Sequence, residues 1–162
     1  MLLDGVLHVY GPDGYREELL NGFFKGPGKT VLKPGDIATS IFIPLPPKGA
    51  FGRYMKLGRN RLGDLAIVGV TVLGYPDASA ASGYRFRIAL ASVAPVPLRA
   101  VKAEEVLAGK TIDEAAIAEA AQAAMDACTP IDDTRGSARY RKVMVRNLTR
   151  NALTDTWTKI RK

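Results

Sequence analysis

The sequence predicts an α+β fold, because strand-forming and helix-forming segments occupy separate blocks of the chain. Two observations carry this. β-Branched and alternating apolar runs end near residue 92, and helical periodicity with capping residues fills the remainder of the chain. A third observation divides the β block: Pro44-Leu45-Pro46-Pro47 puts three prolines in four residues, which forbids a continued strand ladder. The predicted organisation is a small β segment over 1–47, then a domain of three strands and three helices over 48–162.

Each element has its own signal. Val6 to Tyr10 reads as a strand, Gly11-Pro12-Asp13-Gly14 as a turn, and Tyr15 to Leu20 as the strand that pairs back. Asn21 to Gly28 reads as a loop with Phe23 and Phe24 set between glycines. Ile37 to Ile43 is β-branched and stopped by Pro44. The β segment before Pro44 is too small to close a core alone, so it needs a neighbour. After the prolines, strands are expected over 52–58, over the apolar run Leu65–Leu73, and over Arg85–Leu90, which alternates with period two. A helix over about Leu98–Leu107 is closed by Gly109. Thr111-Ile112-Asp113-Glu114 has the form of a capping box and opens an alanine-rich helix to Cys128. The third helix starts near Ser137 and runs to Trp157. Tyr140, Met144 and Leu148 share one face, and Lys142, Arg146 and Arg150 the opposite one.

Composition bounds the function. The 162 residues are 47% hydrophobic, 24% charged and 7% aromatic, which suits one compact domain or one domain plus a fragment. No apolar run approaches the ~20 residues of a membrane span. Met1-Leu2-Leu3-Asp4 lacks a basic leader region, and the single Cys128 excludes an internal disulfide, so the expected compartment is the cytoplasm. With His8 the only histidine, a Cys/His metal site is not expected. The net charge is +7, and residues 131–162 hold nine basic residues against three acids. Such a balance suits nucleic acid, a phosphate-bearing ligand or an acidic partner subunit without selecting one.

No complete catalytic constellation stands out. His8 lies alone in a strand and reads as structural or surface. Cys128, at a helix end, reads as a buried, inert thiol. Gly26-Pro27-Gly28-Lys29-Thr30 looks like the end of a phosphate-binding loop, but Phe23 stands where its first glycine belongs and no helix follows, so nucleotide hydrolysis is not expected. Lys142, Arg146 and Arg150 could contact phosphates. Without aromatic stacking residues or a helix-turn-helix, that face reads as solvated or as docking an acidic partner, and nucleic acid is not the expected ligand.

Several segments together resemble one family. Phe23-Phe24-Lys25-Gly26-Pro27-Gly28-Lys29-Thr30 and Gly35-Asp36-Ile37-Ala38-Thr39-Ser40-Ile41-Phe42-Ile43-Pro44 resemble the end of the FAD-binding domain in the medium subunits of molybdenum hydroxylases, the xanthine dehydrogenase and aerobic carbon monoxide dehydrogenase relatives. Lys56-Leu57-Gly58-Arg59, Gly63 to Val70, Val93 to Ala100 and Pro130 to Arg141 resemble the C-terminal domain of the same subunit. The blocks occur in the family's order from about Gly5 to Leu153.

The resemblance implies a three-stranded antiparallel sheet packed with a three-helix bundle over 51–162. The β segment over 1–47 would be the C-terminal remnant of the FAD-binding domain. It implies electron transfer from iron–sulfur clusters through FAD to an acceptor such as NAD, with molybdopterin and the clusters on large and small partner subunits. Nothing in this sequence corresponds to the family's N-terminal, glycine-rich FAD-binding half, so the chain alone is expected to bind FAD poorly or not at all. Two residues would touch the flavin: Ala38 against the isoalloxazine, and Lys56 as an ammonium donor near the ring or its diphosphate side. Arg59 and Asp64 are expected to pair before the apolar strand. Asp132, Asp133 and Arg135 are expected to cap and fasten the third helix. The other reading of the sequence is a non-catalytic basic assembly module.

Overall fold

The structure, a computed structural model, describes residues 1–60 and 63–162. It divides into two compact units, Met1–Pro46 and Pro47–Lys162.

In the first unit β1 (Val6–Gly11) pairs antiparallel with β2 (Gly14–Leu19) on one side. β3 (Phe24–Gly26) and β4 (Lys29–Thr30) form a small hairpin, and β5 (Ile37–Phe42) pairs antiparallel with the other side of β1. The sheet order is β2-β1-β5. Gly14 takes the positive φ, +94°, that the β1–β2 turn requires. Leu7, Val9 and Phe23 are buried, with Leu20, Val31 and Leu32 around them. A polar clasp closes the turn end. Arg16 gives Asp36 two hydrogen bonds, at 3.0 and 2.5 Å, and Lys33 N gives it a third at 2.5 Å. Any side chain at Gly11 would collide with the Asp36 carboxylate, so the glycine is what lets the clasp form. The loop expected over 21–28 thus contains β3 and leads into β4.

The second unit is a sheet and three helices. β6 (Phe51–Leu57), β7 (Val68–Pro76), β8 (Tyr84–Ala91) and the two-residue β9 (Leu98–Arg99) lie antiparallel in that order. The three expected strands are present, and β9 is added at the edge beyond β8. β7 runs three residues later at both ends than its apolar stretch suggested. β8 alternates between buried and half-buried positions, as its period-two sequence requires.

α1 (Val101–Ala108) lies on β8, α3 (Ala138–Ile160) lies on β7 and β6, and α2 (Glu114–Asp126) packs on α1 and α3. Val68, Val70 and Val72 of β7 meet Phe86, Ile88 and Leu90 of β8 at the centre of the core. Alanines at 116, 120, 121 and 124 are buried and let α2 approach closely. α1 starts three residues later than expected because Leu98 and Arg99 are spent on β9. Asp113, not Thr111, is the N-cap of α2: its carboxylate accepts from Ala116 N at 2.7 Å. No helix among the described residues is long and apolar enough to cross a membrane.

The buried face of α3 differs from the expected one. Arg141, Val145, Thr149, Ala152, Leu153 and Thr156 face the core, while Tyr140 is exposed and Met144 and Leu148 only flank it. Arg141 can be buried because its guanidinium meets Ile67 O at 3.0 Å, Ser92 O at 2.8 Å and Asp133 Oδ1 at 2.6 Å.

Candidate functional site

Lys56 lies in β6 opposite Gly69. Strand alternation places Tyr54 on its side, and the Tyr54 ring lies over Gly69, where no side chain intervenes. Lys56 is exposed, and its ammonium donates to the backbone carbonyl of Asp64. The Asp64 carboxylate accepts from Arg59 N at 2.6 Å and Asn60 N at 3.3 Å, and its oxygen lies 3.9 Å from Arg59 Nε. These bonds, led by the one from Arg59 N, hold the Asp64 carboxyl below the usual carboxylate range. The expected Arg59–Asp64 pair therefore exists, and it fixes the backbone that anchors Lys56. The part of this connection at 61–62 lies outside the described residues.

Ala38 lies in β5 of the first unit, opposite Val9, where the β1–β5 register shifts. It is exposed, and it presents only a methyl group. The neighbouring hydroxyls grip β1: Thr39 Oγ1 donates to His8 O at 3.1 Å, and Ser40 Oγ lies 3.0 Å from His8 Nδ1. His8 Nε2 lies 3.6 Å from Glu17 Oε1, so His8 is a cross-strand polar link. Ala38 belongs to one unit and Lys56 to the other.

The remaining sequence candidates have structural duties. Gly26 to Thr30 spans the β3–β4 hairpin, with no helix behind it to receive phosphate. Cys128 is fully buried, bonds Ala124 O at 3.3 Å, and has its thiol pushed up to about 11 by burial. Asp132 accepts from Ala138 N at 2.6 Å, Asp133 from Arg135 N at 2.8 Å, and Ser137, the N-cap, from Tyr140 N at 3.2 Å, which together fasten the start of α3. Arg150 is tied to Glu114 across the helices, so it does not join Lys142 and Arg146 as a free cationic stripe.

A cleft of about 690 Å³ in the second unit escaped sequence reasoning. Met55, Ile112, Ile117, Arg150, Trp157 and Arg161 line it, and Lys56 does not. Its residues come from three elements far apart in sequence, and no local motif signals it. Among the described residues no group of three or more His, Cys, Asp or Glu is placed to hold a metal ion.

The family of the CO dehydrogenase flavoprotein C-terminal domain matches residues 53–156. The carbon monoxide dehydrogenase medium chain of Hydrogenophaga pseudoflava is 34% identical over 149 residues, which are 92% of this chain and 51% of that one. The xanthine dehydrogenase FAD-binding subunit of Escherichia coli O157:H7 is 23% identical over 96% of this chain and 53% of its own length. Among solved structures, carbon monoxide dehydrogenase from Hydrogenophaga pseudoflava superposes with a TM-score of 0.89 at 34% identity, covering 98% of this chain and 54% of that chain. Quinoline 2-oxidoreductase from Pseudomonas putida 86 gives 0.84 at 26% identity, over 96% and 53%. This chain thus spans about half the length of the curated relatives it matches. With the β6–β9 sheet and all three helices inside or overlapping the matched segment, the chain belongs to the family of the CO dehydrogenase flavoprotein C-terminal domain.

Proposed function

We propose that this chain is the C-terminal part of the FAD-binding medium subunit of a molybdenum-hydroxylase-type oxidoreductase. In the complete subunit it takes part in electron transfer from iron–sulfur clusters through FAD to an acceptor such as NAD. The observation that carries this reading is the likeness to carbon monoxide dehydrogenase over 98% of the chain, which takes in the Met1–Pro46 unit as well as the matched domain. The assembly would comprise an N-terminal FAD-binding half, a large subunit with molybdopterin and a small subunit with the iron–sulfur clusters. Its compartment would be the cytoplasm, a reading that the buried, unpaired Cys128 supports.

On this reading Lys56 and Ala38, each within its own unit, would contact FAD on the ring side. Lys56 offers an exposed ammonium with three N–H donors, of which the Asp64 carbonyl engages one and so orients the group. Ala38 offers an exposed strand position where a flat ring can approach the backbone without meeting a long side chain. When bound, FAD supplies the exchange between one-electron and two-electron carriers. The Lys56 charge would stabilise negative charge near it, and the Asp64 clip would keep that charge in place. The diphosphate would be held by the N-terminal half.

Two measurements test this. The isolated chain is expected to purify without flavin absorbance, and a stoichiometrically yellow isolated chain contradicts the division of labour. In the complete flavin-loaded subunit, Lys56→Ala is expected to lower the flavin reduction potential, because a stabilising cation is lost. An unchanged potential removes Lys56 from the site.

A further inference from the structure

α3 packs on the face of the second sheet that carries Val70, Val72 and Gly74. Met55 of β6 packs against the same core, so its neighbours Tyr54 and Lys56 point to the opposite face. There Tyr54 is paired in register with Thr71, yet its ring leans one row along the sheet. A methyl group at Gly69 would lie 3.5 Å from the Tyr54 hydroxyl oxygen, 3.6 Å from its Cε2 and 3.4 Å from Ala91 Cβ. Any side chain longer than alanine at 69 would fill the space that the ring takes.

Gly69 is paired with Lys56 on one side and with Ala91 on the other. The phenolic oxygen therefore sits in the row of Lys56, on strands about 4.8 Å apart. One row on one face thus holds two donors of different kinds, a neutral O–H and a cationic N–H. Tyr54 has no structural duty that accounts for this. It is 57% exposed and is not among the residues packed against the core. Tyr84 donates to Ile160 O at 3.2 Å, and Tyr75 lies under the Arg87 guanidinium. No described residue bonds the Tyr54 hydroxyl.

We infer that Tyr54 is a flavin-contacting residue beside Lys56, its hydroxyl donating a hydrogen bond to the ring. This rests on the function proposed above. An isoalloxazine presents carbonyl oxygens and ring nitrogens along one edge, and negative charge gathers there on reduction. Donors already aimed at that edge stabilise the charge without reorganising. Lys56 supplies the charge on a flexible stem of four carbons. Tyr54 supplies the fixed point, since a phenol has two torsions to hold and Gly69 seats its ring.

The test is a potential titration of the complete flavin-loaded subunit carrying Tyr54→Phe. This exchange keeps the ring over Gly69 and removes only the O–H. The preference for reduced over oxidised flavin is expected to fall about tenfold, a lowering of ~30 mV for a two-electron couple, with flavin content unchanged. Gly69→Val, which pushes the ring out of the row, is expected to lower the potential in the same direction. Tyr84→Phe, which deletes a hydroxyl bonded to Ile160 O, is expected to leave it unchanged. Circular dichroism confirms that the variants fold. A parental potential for Tyr54→Phe overturns the inference, as does an equal shift from Tyr84→Phe. Lys56→Ala separates this from the functional reading. If Lys56→Ala lowers the potential and Tyr54→Phe does not, the Tyr54 contact falls alone. If the complete subunit holds no flavin, the functional reading falls and takes the contact with it.

Discussion

Arg141 Nη1 donates to the carbonyl oxygen of Ile67 at 3.0 Å, joining residues 74 positions apart and pinning the first turn of α3 to the approach of β7. The same nitrogen meets Ser92 O at 2.8 Å, beyond the end of β8, where Ser92 holds a positive φ of +64°. One guanidinium thus sets three chain segments. Arg141→Met would keep the aliphatic bulk but strand two backbone acceptors. The expected cost is about 2–4 kcal/mol in chemical denaturation. Arg141→Lys, with no planar fork, is expected to recover less than half of it. A loss within about 0.5 kcal/mol would show that water replaces the guanidinium.

The Asp36 clasp makes the first unit sensitive to acid. The Arg16 side chain, then Lys33 N, hold the Asp36 carboxyl at about 2 instead of 3.8. A carboxyl depressed in the folded state stabilises fully above its unfolded value, and that contribution disappears as pH falls through the folded one. Stability of the Met1–Pro46 unit should therefore decline from about pH 4 toward pH 2. Carboxyl NMR of Asp36 is the right probe, because Asp77 in the second unit is also held at about 2, by Ser79 and then Arg85. Arg16→Met should raise the Asp36 midpoint toward its ordinary value and flatten the acid dependence.

Legibility of the fold in the sequence depends on where polar groups are spent. β8 was readable because Phe86, Ile88 and Leu90 alternate with arginines and alanines, and period two has a direct counterpart in burial. α3 was readable as a helix but not as a face. Its buried stripe contains Arg141, Thr149 and Thr156, so a rule that tracks hydrophobicity chose Tyr140 instead. The α2 cap differs from the expected one for a similar reason. The Thr-x-x-Glu spacing points to Thr111 as the cap, whereas backbone geometry puts Asp113 there, within reach of Ala116 N. Lys56 and Ala38 lie on strands that the sequence predicts. The bond from Lys56 to a carbonyl was invisible, because a backbone acceptor leaves no mark in sequence.

Gly74 is a test of packing between sheet and helix. A methyl group there would lie 2.8 Å from Thr156 Cγ2, 2.9 Å from Ile160 Cδ1 and 3.0 Å from Phe86 Cε1. Thr156 and Phe86 are fully buried and cannot swing clear. Gly74→Ala is expected to cost about 1–3 kcal/mol and to lower the melting temperature. Gly26→Ala, whose added methyl meets nothing within 4 Å, is the neutral control. Equal melting temperatures for the two variants would mean that α3 stands off the sheet at its C-terminal end.

Thr149 and Thr156 are fully buried on α3, and neither hydroxyl has a hydrogen-bond partner among the described residues. A buried hydroxyl without a partner costs roughly 1–3 kcal/mol relative to an apolar group of the same shape. Valine has that shape, and its helix propensity is close to that of threonine. Thr149→Val and Thr156→Val should therefore each stabilise the second unit, by about 1 kcal/mol in urea unfolding. Thr158→Val is the contrasting case, since the Thr158 hydroxyl donates to Thr154 O at 2.8 Å and its loss brings no such gain. If the two buried exchanges destabilise the chain instead, each hydroxyl is bonded in solution, and the α3–sheet interface must admit the water that bonds it.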